Sequence, residues 1–244
     1  MATTSLPAPE AQASINHIGR LSGALFGPKQ TFTDIARRPS WAAPYVLLCF
    51  LSLVVGILLG QKTDWRAFFE RQDSQSSRFD QMSQEQKDVM LDRQVQWAPK
   101  ISFAFGLVGA AAIVLIVALV YWGAFNLFKG AGLTFGTAFG ITAHAFVPTL
   151  IGSVVGIVIL LLKAKGDVDP EHFLASNLAA FLPDGTPHWL EVLGQSVEVF
   201  WIWTLALVAI GFAAANPKKI KGGFTIVFGI WLAWVCAKVA WAAL

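Results

Sequence analysis

Charge is what this sequence has least of. Asp, Glu, Lys and Arg make up 14% of its 244 residues, where a soluble domain carries about 25%. That shortage excludes an ordinary water-soluble domain, and a hydrophobic content of 55% points to a chain that lives in a bilayer. Cysteine is also scarce. Cys49 and Cys236 both sit in apolar runs, as small hydrophobes do, which excludes a disulfide framework or a thiolate metal site. The chain has no His-Glu-x-x-His, no Gly-x-Ser-x-Gly and no paired carboxylates within its apolar segments, so the familiar hydrolase sets are missing. The net charge of +3 is spread along the chain rather than gathered into a nucleic-acid footprint. His17, Gly19 and Arg20 interrupt the N-terminal region, and no apolar h-region of a signal peptide stands there. The expectation is an integral membrane protein that is not an enzyme, with no metal, no cofactor and no nucleic-acid partner.

What the sequence has in quantity is apolar length. Five segments, near 41–60, 101–128, 138–162, 197–215 and 224–244, reach the ~17–25 residues that cross a bilayer as a helix. The predicted fold is all-α: a polytopic membrane protein of five transmembrane helices with short interfacial amphipathic helices. The short turns carry the basic residues: Arg37 and Arg38 before span one, Lys129 between spans two and three, and Lys218, Lys219 and Lys221 between spans four and five. The positive-inside rule puts these in the cytoplasm, with the N-terminus inside and the C-terminus outside. The long connections, 61–100 and 163–196, then lie outside.

The third segment organises the rest. Gly136, Gly140, His144, Pro148, Gly152 and Gly156 recur every fourth residue. Small residues at that spacing let helix backbones approach closely in lipid, and the row winds round the helix by about 40° per step. The pattern predicts a central helix with neighbours on more than one side. Gly56 and Gly60 form a second such pair in span one. Pro148 has no N–H to offer the His144 carbonyl. One helix level therefore holds a kink, a free carbonyl and an imidazole, either as a packing seam or as an intramembrane polar site. Asn126, near the inner end of span two, is a candidate partner for His144 across some stagger or a water. Glu198 opens span four and Lys238 lies in span five. Counted from the turn between them, the two fall within about one helical turn of the same depth. An ion pair is expected, with Lys238 snorkelling against Trp234 and Trp241 as the alternative.

Outside the spans, residues 1–13 have the composition of a disordered segment, and 14–40 that of two amphipathic helices. Ile15, Ile18, Leu21 and Leu25 share a face. Thr31 followed by Asp34 reads as an N-cap with an acid three residues on. Phe32 and Ile35 then face one way, with Arg37 and Arg38 at the end, which suits either a helix in the lipid interface or a cap on the bundle. Trp65, Phe68 and Phe69 make an apolar start to the first outer connection, read as a continuation of span one. Ser83 and Gln86 predict a capping box opening a helix to about Val95. Thr186-Pro187 reads as N-cap and first residue of another. Asp167, Asp169, Glu171 and His172 lie close together but match no calcium or zinc spacing.

These residues also carry a resemblance. Pro28-Lys29-Gln30-Thr31-Phe32-Thr33-Asp34-Ile35-Ala36-Arg37-Arg38-Pro39-Ser40-Trp41 resembles the entry to the Yip domain (Ypt/Rab-interacting-protein type), in its bacterial branch. Ala124-Phe125-Asn126, Ala143-His144-Ala145-Phe146-Val147-Pro148, Ala175-Ser176-Asn177-Leu178, Trp203 with Gly211, and Trp231 with Lys238 are similar too. The resemblance implies five spans, a cytoplasmic N-terminus and an outward C-terminus, in a bacterial inner membrane. Eukaryotic relatives are adaptors that bind Rab-type GTPases and one another. The short N-terminal arm and long outer connections depart from that pattern, which weighs against GTPase binding here, and the family offers no catalytic residues to carry over.

The leading expectation for function is a membrane-organising or partner-binding scaffold. Its partners would be membrane lipids and either a membrane protein or a second copy, met through the Gly152/Gly156 or Gly56/Gly60 face. The alternative is a transporter or channel for a small solute or lipid, lined by His144, Asn126 and the Pro148 kink.

Overall fold

The computed structural model describes residues 15–74, 79, 81–183 and 185–243; the segment expected to be disordered, 1–13, lies outside them. Among the described residues every regular element is a helix, and the one β feature is an isolated antiparallel bridge between Asn177 and Glu198. In chain order the helices are α1 (His17–Phe26), α2 (Pro28–Arg37), α3 (Ala42–Lys62), α4 (Trp65–Asp73), α5 (Gln84–Lys129), α6 (Phe135–Ala145), α7 (Val147–Leu162), α8 (His188–Ser196), α9 (Val199–Ala215) and α10 (Gly223–Ala242). Leu178–Phe181 forms a short 3-10 turn. Four helical stretches are long and apolar enough to cross a membrane: α3, α5, α6 with α7, and α10; α9 is apolar but shorter, at 17 residues. This is a multi-pass membrane protein.

α5 runs unbroken for 46 residues, about 69 Å at 1.5 Å per residue, against a hydrocarbon core of ~30 Å. The capping box forms as predicted: the Gln86 amide donates to Ser83 Oγ at 3.3 Å, and the Ser83 amide to Gln86 Oε1 at 3.0 Å. The helix does not stop near Val95, however, but continues through Pro99. Pro99 removes one hydrogen bond without ending the helix, and Gly60 of α3 packs close against it: a Cβ on Gly60 would stand 3.4 Å from the Pro99 carbonyl. The polar first part of α5 and α4 make an arm at the end of the molecule away from the basic turns. α4 is a separate helix rather than a continuation of span one, since Asp64 caps its N-terminus by accepting from the Ala67 amide at 3.1 Å. Arg66 fastens α4 to α5. It reaches Asp92 at 2.8 Å and Asp88 at 3.1 Å as well as Glu70 on its own helix, and the Asp92 hydrogen bond raises its already high pKa.

The core sits at the other end. The α6 residues Thr137, Ala138 and Gly140 to Ala145 are all buried, as a central helix requires. α2 packs on α9 and α6. Phe32 and Ile35 are fully buried, with Phe32 under Gly211 and Ile35 beside Gly140. α2 thus turns its apolar face into the bundle. Its start is also earlier than predicted. Pro28 is its first residue, where its missing N–H costs nothing. Thr31 therefore lies inside the helix, with its hydroxyl donating to the Gly27 carbonyl at 3.1 Å. α1 is rotated from its predicted face: Ile18 is exposed, whereas Arg20 and Ala24 are buried.

Candidate functional site

Three polar places in the bundle could carry function. The first is the N-terminal cap. Asp34, expected to close a capping box, instead pairs with Arg20 of α1 at 2.8 Å. The other side of the Arg20 guanidinium donates to the Arg38 carbonyl at 3.1 Å and to the Ser40 hydroxyl. One buried arginine thus ties α1, α2 and the entry to α3 together. Sequence reading missed Arg20 because it followed the apolar residues of α1. The available signal was an arginine on the Gly23/Ala24 side, followed fourteen positions later by an aspartate. Arg37 and Arg38 remain exposed and, with Lys29, line an open groove beside α2.

The second place is the helix break around His144. The residue at the break is Phe146, with φ −79° and ψ 4°; α6 ends before it and α7 begins after it. Pro148 causes this by withholding the N–H that would continue the ladder. The Thr149 amide and hydroxyl close the gap by donating to the Phe146 carbonyl, at 3.0 and 2.6 Å. His144 is fully buried, with Nδ1 at 2.9 Å from the Gly140 carbonyl. Its Nε2 is buried without a partner among the described residues, as is the Thr204 hydroxyl of α9. The predicted contact with Asn126 does not form. Asn126 instead holds the turn after α5: its amide donates to the Leu133 carbonyl at 3.0 Å and its carbonyl accepts from the Leu133 amide at 2.9 Å. These two bonds hold the Asn126 carboxamide on the turn, one helical turn short of His144.

The glycine row is divided by the same break. Gly136 faces almost open space, a Cβ on Gly140 would meet the Ser40 carbonyl at 3.0 Å, one on Gly152 the Phe200 ring at 2.9 Å, and one on Gly156 the Phe173 ring at 2.8 Å. These positions receive a backbone and two aromatic rings of the same chain, so the Gly152/Gly156 face is not free for a partner. The Gly56/Gly60 face is likewise filled, by α5. A Cβ on Gly56 would stand 2.6 Å from the Ser102 carbonyl and 2.8 Å from Gly106 Cα, and the Ser102 hydroxyl donates to the Gly56 carbonyl at 2.8 Å.

The third place is a lateral cavity of about 610 Å³ between α5, α9 and α10, with Ser196, Glu198 and Lys238 at one end. The predicted Glu198–Lys238 ion pair is not made. Glu198 caps α9, its two oxygens accepting from the amides of Phe200 (3.1 Å) and Trp201 (2.6 Å). An N-terminal carboxylate gains both these bonds and the helix dipole. Lys238 donates to Ser196 Oγ at 2.9 Å. The Asn177 carboxamide caps the 3-10 turn through the Ala180 amide, while its neighbours bracket Glu198: the Leu178 amide reaches the Val197 carbonyl and the Val199 amide the Ser176 carbonyl.

Thr186 does not cap α8; Pro187 stands at its N-cap, one residue later than predicted, and the Thr186 hydroxyl turns back to the Pro183 carbonyl. In the connection between α7 and α8 Asp169 is 3.8 Å from His172 and 3.9 Å from Arg71. No group of three His, Cys, Asp or Glu among the described residues could hold a metal ion.

Comparison with known proteins agrees with this architecture. A family model, the Yip1 domain, matches residues 22–242. No curated protein and no solved structure matches the chain.

Proposed function

The chain belongs to the Yip1 domain family of membrane proteins, and from that premise we propose that it is a non-enzymatic scaffold that binds a membrane-protein partner. The observation that carries the reading is the arm formed by α4 and the polar first part of α5. Helix length beyond the bilayer does nothing for insertion, yet here it is capped at Ser83 and pinned by Arg66. Val89 and Trp97 on the arm are more than half exposed. An ordered, projecting helix pair with apolar side chains on its surface suits a docking platform. The polar groups in the bundle are otherwise occupied in holding helices: Asn126, Glu198 and Arg20 each bond the chain itself.

The same reading takes five spans, with α9 as the fourth, and puts the N-terminus in the cytoplasm and the C-terminus outside. Support comes from the basic turns. Lys219 Nζ donates to the Gly130 carbonyl at 2.7 Å and the Asn216 amide to the Ala131 carbonyl at 2.8 Å, so the turn after α5 and the turn after α9 meet at one end. The likeness of Pro28–Trp41 to the bacterial branch supports a bacterial inner membrane.

A photo-crosslinking residue at Val89, used in native membranes, tests the scaffold. A discrete crosslinked protein, lost when the photo-residue is moved to Leu232 on α10, supports it; crosslinks to lipid alone at Val89 would overturn it. The transporter reading rests on the unpartnered His144 Nε2, but His144 and Asn126 line neither the lateral cavity nor the groove beside α2.

A further inference from the structure

α5 and α10 touch near the basic end, where the Tyr121 hydroxyl donates to the Val227 carbonyl at 3.2 Å. From that contact toward the opposite end the lateral cavity lies between them, walled by Ile116 and Val120 of α5 and by Trp231 and Trp234 of α10. Its volume, about 610 Å³, falls within the roughly 300–1,000 Å³ of ordinary ligand sites. Ile116, Val120 and Trp234 are 54%, 43% and 64% exposed, so the cavity opens sideways, toward lipid, rather than along the bundle axis. The far end is polar and carries Lys238, Ser196, Gln195 and Glu198.

The charges at that end are unequal in how they are met. Glu198 spends both oxygens on the α9 amides. The Lys238 ammonium has one hydrogen bond among the described residues, to the neutral Ser196 hydroxyl. An ammonium within a membrane helix is costly unless a counter-charge meets it, and basic pockets between membrane helices hold lipid head groups. A long apolar wall that ends in one cation, near the C-terminal end of the helix and among tryptophans of the interfacial kind, has the charge and shape complement of a head and a tail. We propose that this cavity is a phospholipid site, with the phosphodiester on Lys238 and one acyl chain between α5 and α10.

The test uses the full-length protein, delipidated in detergent and titrated with dioleoyl phosphatidylglycerol or with dioleoylglycerol, which has the same tails and no phosphate. Native mass spectrometry reads the bound lipid. The wild type is expected to retain one phosphatidylglycerol, with dioleoylglycerol held more weakly. Lys238→Gln should weaken phosphatidylglycerol about tenfold, as loss of one charge-assisted hydrogen bond does, and leave dioleoylglycerol unchanged. Lys238→Arg should keep binding. Ile116→Trp, which fills the wall without touching the charge, should lower both lipids. Equal retention of phosphatidylglycerol by wild type and Lys238→Gln would mean unspecific annular lipid and overturn the site. If Lys238→Gln fails to fold, unchanged retention by Ile116→Trp overturns it instead. A disulfide or crosslink joining two copies across the cavity in place of lipid would overturn it as well.

Discussion

The Arg20 guanidinium and the Asp34 carboxylate meet at 2.8 Å under the N-terminal cap, with side-chain exposures of 6% and 18%. Removing one partner of a pair this buried leaves the other charge uncompensated, which costs about 3 kcal/mol or more. Asp34→Ala is therefore expected to lower the thermal unfolding midpoint in detergent and to make the α1–α2 region sensitive to protease. The double variant Arg20→Met/Asp34→Leu should recover much of the loss, because it removes the charge that would be stranded. If the single variant unfolds like the wild type, Arg20 does not hold the cap.

Gly56 and Gly106 lie face to face between α3 and α5. Gly56→Ala would put a methyl 2.6 Å from the Ser102 carbonyl, a clash with backbone that only helix separation relieves. Overpacking of this kind costs about 1–3 kcal/mol, and the Ser102–Gly56 hydrogen bond would be lost with it. Denaturant titration in mixed micelles should show the destabilisation. Size-exclusion chromatography should show no change in oligomeric state, since the seam lies within one chain. A change of assembly with intact stability would mean that the seam serves a second copy instead.

The glycines show where sequence reading stops. Spacing identified Gly56 and Gly60 as close-packing positions, and they are, but spacing does not name the neighbour. The neighbour is α5, reached through a connection whose length hid the pairing. Spans, basic turns and the Ser83 capping box were legible because each depends on local composition or on residues three or four apart. The length of α5 was not, because nothing local says that the helix from Ser83 and the span near 101–128 join through Pro99. Glu198 was seen as a charge at a depth, and its depth suggested Lys238. The two amides at the start of α9 were nearer, and a helix start is legible only when the exact first residue is known. Arg20 went unnoticed since its partner is fourteen residues away on another helix.

His144 offers a direct comparison of the packing and transport readings. Its Nε2 has no partner among the described residues and the ring is fully buried. Replacing His144 by Leu removes the unmet Nε2 and, with it, the Nδ1 hydrogen bond to the Gly140 carbonyl, a net change of about 1 kcal/mol. His144→Leu is expected to fold with an unfolding free energy within about 1 kcal/mol of wild type. Liposomes holding either protein should leak a fluorescent solute at equal rates. A rate that falls only in the variant would favour transport.

The orientation of the spans makes a labelling prediction. Lys221 lies in the turn between α9 and α10, and Glu85 in the first turn of α5. With Cys49 and Cys236 replaced by Ala, single cysteines at Lys221 and Glu85 should react with an impermeant maleimide from opposite sides of sealed cells. Lys221→Cys should be protected until the membrane is opened, and Glu85→Cys labelled at once. The opposite pattern would invert the protein; labelling of both from one side would mean an even number of crossings between Glu85 and Lys221, with α9 not completing one.

Arg66 separates two explanations of the projecting arm. Its contacts with Asp88 and Asp92 lie in water, the side chain being 46% exposed, where solvent screening leaves ion pairs little net stability. Global stability should therefore hardly change in Arg66→Ala. The local effect should be larger, because α4 has only nine residues and helices shorter than about 12–15 residues are marginal on their own. Hydrogen exchange across Trp65–Asp73 is expected to speed up about tenfold, while Ile101–Lys129 in the spanning part of α5 stays protected. If the arm is a docking platform, the same variant should also weaken the crosslink from Val89, since α4 would no longer hold the first part of α5 in place. Faster exchange with an unchanged crosslink would assign the docking surface to α5 alone.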